Sequence, residues 1–82
     1  MTKSDEILNL LQEECAEVIQ AISKVRRFGK KENIKALTEE IGDVLYLIQL
    51  AKNNVAEINN FDYDLHNKKK FFKLKEFSSI FD

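Results

Sequence analysis

Two stretches decide the fold of this 82-residue chain: LLQEECAEV at residues 10–18 and EIGDVLYLI at residues 40–48. Each stretch carries two acids separated by two residues. If each is an α-helix, which turns about 100° per residue, the first acid of each pair lies inside the apolar stripe and not on the solvated side. These acids are Glu14 and Glu40. The pattern predicts two helices that each place a carboxylate among core-facing side chains.

The second acid of each pair, Glu17 or Asp43, follows about 60° round its helix, on the edge of the same stripe. An unpaired carboxylate on a core-facing stripe costs several kcal/mol, so it needs a partner or becomes neutral. Two such helices in contact would bring four carboxylates together, and a bound divalent cation explains that arrangement most simply. The apolar neighbours that define the stripes are Ile7, Leu10, Leu11, Val18, Ala21 and Val25 on the first helix and Leu37, Val44, Leu47 and Ala51 on the second.

The composition favours an all-α protein. The chain has no proline, two glycines, 33% charged residues and 44% apolar residues. We expect residues 1–82 to form one domain, which at this length buries only about 60–65% of the surface of its unfolded chain. One cysteine excludes internal disulfides. Metal binding or oligomerisation is therefore expected to stabilise the fold.

Charge and hydropathy exclude two classes of partner. A net charge of −1 argues against a protein whose main task is to hold a nucleic-acid polymer. No apolar run approaches the ~18 residues of a membrane span, and the N-terminal MTKSDE lacks the apolar centre of a signal peptide. The sequence therefore predicts a cytoplasmic protein that binds neither nucleic acid nor membrane.

The first helix is predicted to begin after Thr2 or Ser4, either of which can cap free backbone amides. It should end near Phe28, because Gly29 is typical of a helix C-terminus. Cys15, about 100° round from Glu14, is expected to be a small buried residue.

The second helix is predicted to run from Lys31–Asn33 to about Glu57, and a third to begin near Asp62 after a turn. The apolar residues of the second helix cover much more than a 100° arc, so it should be buried on more than one side. A three-helix monomer has little to cover it. We therefore expect helical bundles in a homodimer or homotetramer.

The acids define the expected chemistry. Side chains three residues apart on a helix are neighbours, so each pair can present two carboxylates to one ion. An all-oxygen site without histidine or thiolate suits Mg²⁺, with Mn²⁺ as a substitute. Such a site can activate water for displacement at phosphorus. Glu13 and Glu39 precede the two pairs, and either could reach in as a further acid or general base, although a solvated surface position fits Glu39 better.

These residues resemble a known family. LQEECAE at 11–17 is followed by 22 residues and then by EIGDVLY at 40–46. The arrangement resembles the EExxE…ExxD pattern of the MazG-like all-α nucleotide pyrophosphohydrolases, a superfamily that also includes dimeric dUTPases and phosphoribosyl-ATP pyrophosphohydrolases. The resemblance covers roughly residues 5–75.

The resemblance implies the reaction (d)NTP + water → (d)NMP + pyrophosphate. It implies that Glu13 orients the attacking water. It also implies assembly as dimers or tetramers of helical bundles. The positions that match the family's Mg²⁺ ligands are Glu14, Glu17, Glu40 and Asp43.

A second part of the resemblance concerns substrate binding. Asn67, Lys69 and Lys73 look like the family's Asn-x-Lys…Arg stretch, which meets the phosphates. Lysine at 73 keeps the charge of arginine but loses its bidentate geometry. Tyr46 is the best candidate for contact with the base, since the family often places an aromatic residue there.

Two other functions compete with this one. A di-iron carboxylate bundle needs Glu-x-x-His pairs, and the single histidine, His66, follows Tyr63 at that spacing and is expected on the surface. A non-catalytic helical dimerisation or regulatory module would use the same bundle without metal-dependent stability. The four acids and their spacing favour the nucleoside triphosphate pyrophosphohydrolase.

Overall fold

The structure, a computed structural model, describes residues 1–82 and contains four helices and no strand, which confirms the all-α prediction. Three of the helices are long. The remaining one, third in chain order, is a single turn that the sequence analysis did not separate from the second helix. None of them is long and apolar enough to cross a lipid bilayer. The helices are α1 (Lys3–Phe28), α2 (Lys30–Asn54), α3 (Ala56–Asn59) and α4 (Tyr63–Phe77).

Helix α1 begins with a reciprocal cap. The Asp5 backbone N–H donates to Thr2 Oγ1 at 3.1 Å, and the Thr2 backbone N–H donates to the Asp5 carboxylate at 3.4 Å. This arrangement satisfies two amides that the helix itself leaves free. The cap confirms Thr2 as the start, and the helix ends at Phe28 as predicted.

Gly29 alone connects α1 to α2. It has φ +97° and ψ 159°, a backbone region essentially restricted to glycine. Its N–H donates to the Val25 carbonyl at 2.9 Å, which closes α1, and α2 begins at the next residue. The two helices run antiparallel, since Ser4 Oγ near the start of α1 donates to the Asn54 carbonyl at the end of α2 at 3.2 Å.

Replacing Gly29 by alanine is expected to lower the free energy of unfolding by about 1–3 kcal/mol, because a Cβ strains this backbone conformation. Urea unfolding followed by circular dichroism in the presence of chelator would measure the change. The matched control is Gly42→Ala, where an added Cβ meets no atom within 4 Å and the helical backbone suits alanine. Equal losses in both variants would contradict this account of the turn.

Helices α1 and α2 pack along one stripe on each helix, with residues alternately three and four positions apart, as in an antiparallel coiled coil. Ile7, Ala21 and Ala51 are buried. Glu14 and Glu40 occupy stripe positions, as predicted, and are half-buried. The residues of the two stripes, all of them buried or half-buried, are Ser4, Ile7, Leu11, Glu14, Val18, Ala21 and Val25 on α1 and Asn33, Leu37, Glu40, Val44, Leu47, Ala51 and Asn54 on α2.

The predicted end of the second helix at Glu57 is wrong. Val55 adopts an extended backbone with φ −127° and ψ 105°, so α2 ends at Asn54 and the chain makes one further turn as α3. The predicted start of the last helix is confirmed. Asp62 caps α4 by accepting a hydrogen bond from the Leu65 N–H at 3.0 Å.

Apart from a contact between α2 and its first residue, helix α4 packs on neither α1 nor α2. The Tyr63 hydroxyl at its start donates to the Ile58 carbonyl, and Lys52 Nζ lies 4.9 Å from the centre of the Tyr63 ring. The molecule measures 39 × 30 × 14 Å, and 14 Å is close to the thickness of one helix with its side chains. A single layer of helices therefore carries the candidate site.

Candidate metal centre

Three acids from two helices meet at the α1–α2 contact. One carboxylate oxygen from each of Glu14, Glu40 and Asp43 lies within 4.8 Å of the other two. The first two are half-buried in the packing stripe, and Asp43 is exposed at its edge. This donor set consists of carboxylate oxygens alone, which fits Mg²⁺ or Mn²⁺ and does not fit the sulfur- and nitrogen-rich sites of Zn²⁺.

The three acids perturb one another. A hydrogen bond with Glu40 raises the pKa of Glu14 above its ordinary value, and partial desolvation and the charges of Asp43, Glu40 and Glu17 raise it further. No basic side chain is among the causes. Binding of a proton or of a cation would relieve this repulsion.

The metal-free protein is expected to lose stability as pH rises from about 4 towards neutrality. The folded pKa of Glu14 is above its unfolded value, so its stabilising contribution is complete below the unfolded pKa and disappears as pH rises through the folded pKa. Melting temperatures measured in chelator across this range would show the loss. Glu14→Gln should flatten the profile, and an unchanged profile in that variant would contradict the assignment.

Two of the predicted acids lie outside the three-carboxylate group. Glu17 is exposed and is not a member of it, although its charge reaches Glu14. Glu13 is exposed next to Glu14 and is also outside the group. The structure therefore brings together three of the four predicted ligands, from both helices.

A cavity of about 330 Å³ opens beside the acids. It is lined by Leu10, Glu14, Asp43, Tyr46 and Leu47. Tyr46 was a predicted base contact and does lie in the wall, whereas the two leucines were assigned only to the core. Leu10 is four positions before Glu14, and Leu47 is four positions after Asp43. Residues at that spacing project from the same side of a helix, so the sequence contained a signal that both leucines lie beside the acids.

The predicted phosphate-binding residues lie elsewhere in the chain. Asn67, Lys69 and Lys73 are exposed on α4, and α4 does not pack beside the helices that hold the acids. The extended residue Val55 and the short α3 direct the chain away from the α1–α2 contact before α4 begins. One chain therefore does not bring these side chains to the carboxylates.

The prediction that Cys15 is buried is wrong: its side chain is exposed. It projects about 100° from Glu14, away from the packed stripe, and no second helix of this chain covers that side. His66 is exposed as predicted, with its ring centre 5.3 Å from that of Phe61.

A family model described as the MazG nucleotide pyrophosphohydrolase domain matches residues 2–76. The chain belongs to the MazG family. The matched range runs from the cap of α1 almost to the end of α4 and contains both acidic motifs of this MazG domain. Curated proteins and solved structures gave no match. Membership confirms the resemblance seen in the sequence, and it indicates nucleotide pyrophosphohydrolase activity.

Proposed function

We propose that this MazG protein is a Mg²⁺-dependent nucleoside triphosphate pyrophosphohydrolase that converts (d)NTP and water into (d)NMP and pyrophosphate. The observation that carries the proposal is the meeting of Glu14, Glu40 and Asp43 beside an open cavity, with no basic side chain among the groups that shift the pKa of Glu14. Family membership gives the reaction class. We further propose that residues 1–82 act as one domain.

The acids would share the work of binding and positioning. Glu14, Glu40 and Asp43 would hold the cation, and Glu17, exposed at the edge of the stripe, would be the fourth ligand. Bound Mg²⁺ would lower the pKa of a coordinated water and neutralise charge on the phosphates. Glu13, exposed beside Glu14, would accept a hydrogen bond from the attacking water and orient it.

We propose that Asn67, Lys69 and Lys73 contact the phosphates from a neighbouring copy. They are exposed on a helix that packs on neither α1 nor α2, so a second chain can meet them. A lysine offers a compact charge with three donors, which suits a phosphate oxygen without the fixed fork of arginine. Tyr46 would contact the base from the cavity wall.

Surface area supports a homo-oligomer. The chain exposes 6965 Å². A folded monomer of its 9.6 kDa mass exposes roughly 5,100 Å² by the usual scaling, so the excess is about 1,900 Å². Stable interfaces bury about 800 Å² per partner, and obligate ones bury more. The excess therefore matches what a permanent assembly would cover.

The surface to be covered is a second apolar stripe on each helix, which we call the apolar face. Its residues lie about 80–140° round from Glu14 or Glu40 in the same rotational sense, and in antiparallel helices that places both stripes on one side. Its large side chains are 39–66% exposed. The residues of the apolar face are Leu8, Cys15, Ile19 and Ile22 on α1 and Ile34, Ile41, Leu45 and Ile48 on α2.

The cavity opens on the opposite side of the α1–α2 pair. Tyr46 and Asp43 lie about 120° and 60° from Glu40 in the other rotational sense. A second copy that docks on the apolar face therefore leaves the cavity open. Two layers of helices around one core would complete the architecture usual for folded domains.

Product analysis tests the reaction. Purified protein is incubated with each ribo- and deoxyribonucleoside triphosphate, with Mg²⁺ or with chelator, and the products are separated by chromatography. We expect metal-dependent formation of monophosphate and pyrophosphate. No turnover, together with a melting temperature unchanged by Mg²⁺, would instead indicate the non-catalytic helical module.

A further inference from the structure

The start of α4 is held by contacts with two earlier helices. Tyr63, the first residue of α4, donates a hydrogen bond from its hydroxyl to the Ile58 carbonyl on α3. The ammonium group of Lys52 on α2 lies 4.9 Å from the centre of the Tyr63 ring, within the range of a cation–π interaction. One side chain therefore joins three helices.

The residues around Tyr63 hold the same turn together. The Phe61 ring meets the Tyr63 ring edge-on, with the ring centres 5.0 Å apart, and it also contacts the His66 ring at 5.3 Å. Asp62 caps α4 by accepting a hydrogen bond from the Leu65 N–H. The connection between α3 and α4 is therefore a packed unit and not a loose hinge.

The length of α4 amplifies any change at this turn. Beyond Tyr63, α4 packs on neither α1 nor α2 of its own chain, so within the chain the turn decides the direction in which α4 leaves. Lys73 is ten residues after Tyr63, which is about 15 Å along the helix axis. A change in direction of about 15° would move Lys73 by about 4 Å, which is more than the length of a hydrogen bond.

We infer that Tyr63 is a positioning residue for the phosphate-binding part of α4. Its contacts with α2 and α3 hold α4 in the direction that presents Lys69 and Lys73 to phosphates at the carboxylates of a neighbouring copy. This inference rests on the proposed function, which assigns these lysines to the phosphates. Without the contacts of Tyr63, α4 has the competent direction for only a fraction of the time, and the apparent affinity for phosphates falls by that fraction.

Binding of inorganic pyrophosphate with Mg²⁺, measured by calorimetry, tests the inference apart from turnover. Tyr63→Ala removes both contacts and should weaken binding by about five- to twentyfold. Tyr63→Phe loses only the hydroxyl and keeps an aromatic ring beside Lys52, so we expect a smaller loss. Circular dichroism at the temperature of the titration checks that each variant is folded.

Phe77→Ala is the matched control. Phe77 is the last residue of α4 and is 75% exposed, and it lies beyond Lys73 at the end of the helix far from the turn. The variant removes an aromatic side chain from the same helix without changing the contacts of Tyr63. It should bind pyrophosphate as the original protein does.

A double-mutant cycle shows whether Tyr63 acts through Lys69. Lys69→Ala alone should weaken pyrophosphate binding by about tenfold, because it removes a charge-assisted hydrogen bond. Two independent losses of about tenfold would multiply to about a hundredfold. We expect no more than about thirtyfold in the double variant, because a misdirected Lys69 contributes less. A side chain that only stabilises the fold would show no such coupling.

The outcomes separate the positioning role from the reaction. Equal affinities in Tyr63→Ala and Phe77→Ala, or losses that multiply fully in the double variant, would overturn the role whether or not the protein turns over triphosphates. A coupled loss in a protein without turnover would support the role and overturn the proposed reaction alone. Turnover in a protein whose pyrophosphate affinity is unchanged by Lys69→Ala would overturn the positioning role and leave the reaction standing.

Discussion

Glu14→Gln and Glu40→Gln are each expected to lower the turnover of nucleoside triphosphates by about a thousandfold or more, equivalent to about 4 kcal/mol of lost transition-state stabilisation. Glutamine has nearly the same shape as glutamate but carries no charge, so the site loses an anionic ligand without losing volume. Both positions lie in the packed stripe and belong to the three-carboxylate group. Initial rates at saturating Mg²⁺ would measure the effect.

The same variants are expected to keep the fold and to melt at a slightly higher temperature in chelator. Each removes one member of a group of like charges whose repulsion raises the pKa of Glu14. Glu39→Gln is the matched control, because Glu39 is exposed on α2 next to Glu40 and is outside the three-carboxylate group. It should retain turnover. A Glu14→Gln variant with near-normal turnover would contradict the assignment of this carboxylate as a ligand.

The second large effect concerns assembly. If the proposed oligomer forms, Ile19→Glu or Leu45→Glu is expected to convert it into single chains of 9.6 kDa, as measured by sedimentation equilibrium. These side chains are 66% and 61% exposed in one chain and belong to the apolar face. A charge buried there without a partner costs several kcal/mol, enough to separate the copies. Melting of the parent protein should depend on concentration, and melting of the variants should not.

The control for this experiment is Gln20→Glu, which adds the same charge at an exposed position of α1 outside the apolar face. It should remain an oligomer. Cys15 provides a second readout, because it lies on the apolar face and is exposed in one chain. A thiol reagent should modify it slowly in the oligomer and rapidly in the variants. A parent protein that is monomeric at micromolar concentration, with a rapidly modified Cys15, would contradict the proposed assembly.

Periodicity and capping chemistry predicted most of the fold. The boundaries of α1 follow from Thr2 and Gly29, because a side-chain cap and a left-handed glycine are local features that need no distant contact. The stripe positions of Glu14 and Glu40 follow from the angle per residue alone. The break at Val55 was missed although Asn53, Asn54 and Val55 are all weak helix formers, because the apolar spacing of the second helix continues from Ala51 to Val55.

The candidate site was predictable to the extent that it depends on the direction in which a side chain leaves its helix. That direction places Glu14, Glu40 and Asp43 together, as the structure shows. At the edge of the stripe, the distance between the helices and the side-chain rotamer decide whether a carboxylate reaches the other acids. Glu17 is predicted at that edge, and it lies outside the group. Cys15 was misassigned because periodicity identifies an apolar side of a helix but not what covers it.

The most direct test of the central claim, that these carboxylates bind a cation required for pyrophosphate release, is a phosphorus NMR time course. One triphosphate that the protein accepts is mixed with protein and Mg²⁺, chelator is added midway, and excess Mg²⁺ is then restored. We predict signals of monophosphate and pyrophosphate that grow, stop with chelator and resume with Mg²⁺. Formation of nucleoside diphosphate and orthophosphate, or hydrolysis that continues in chelator, would contradict the account.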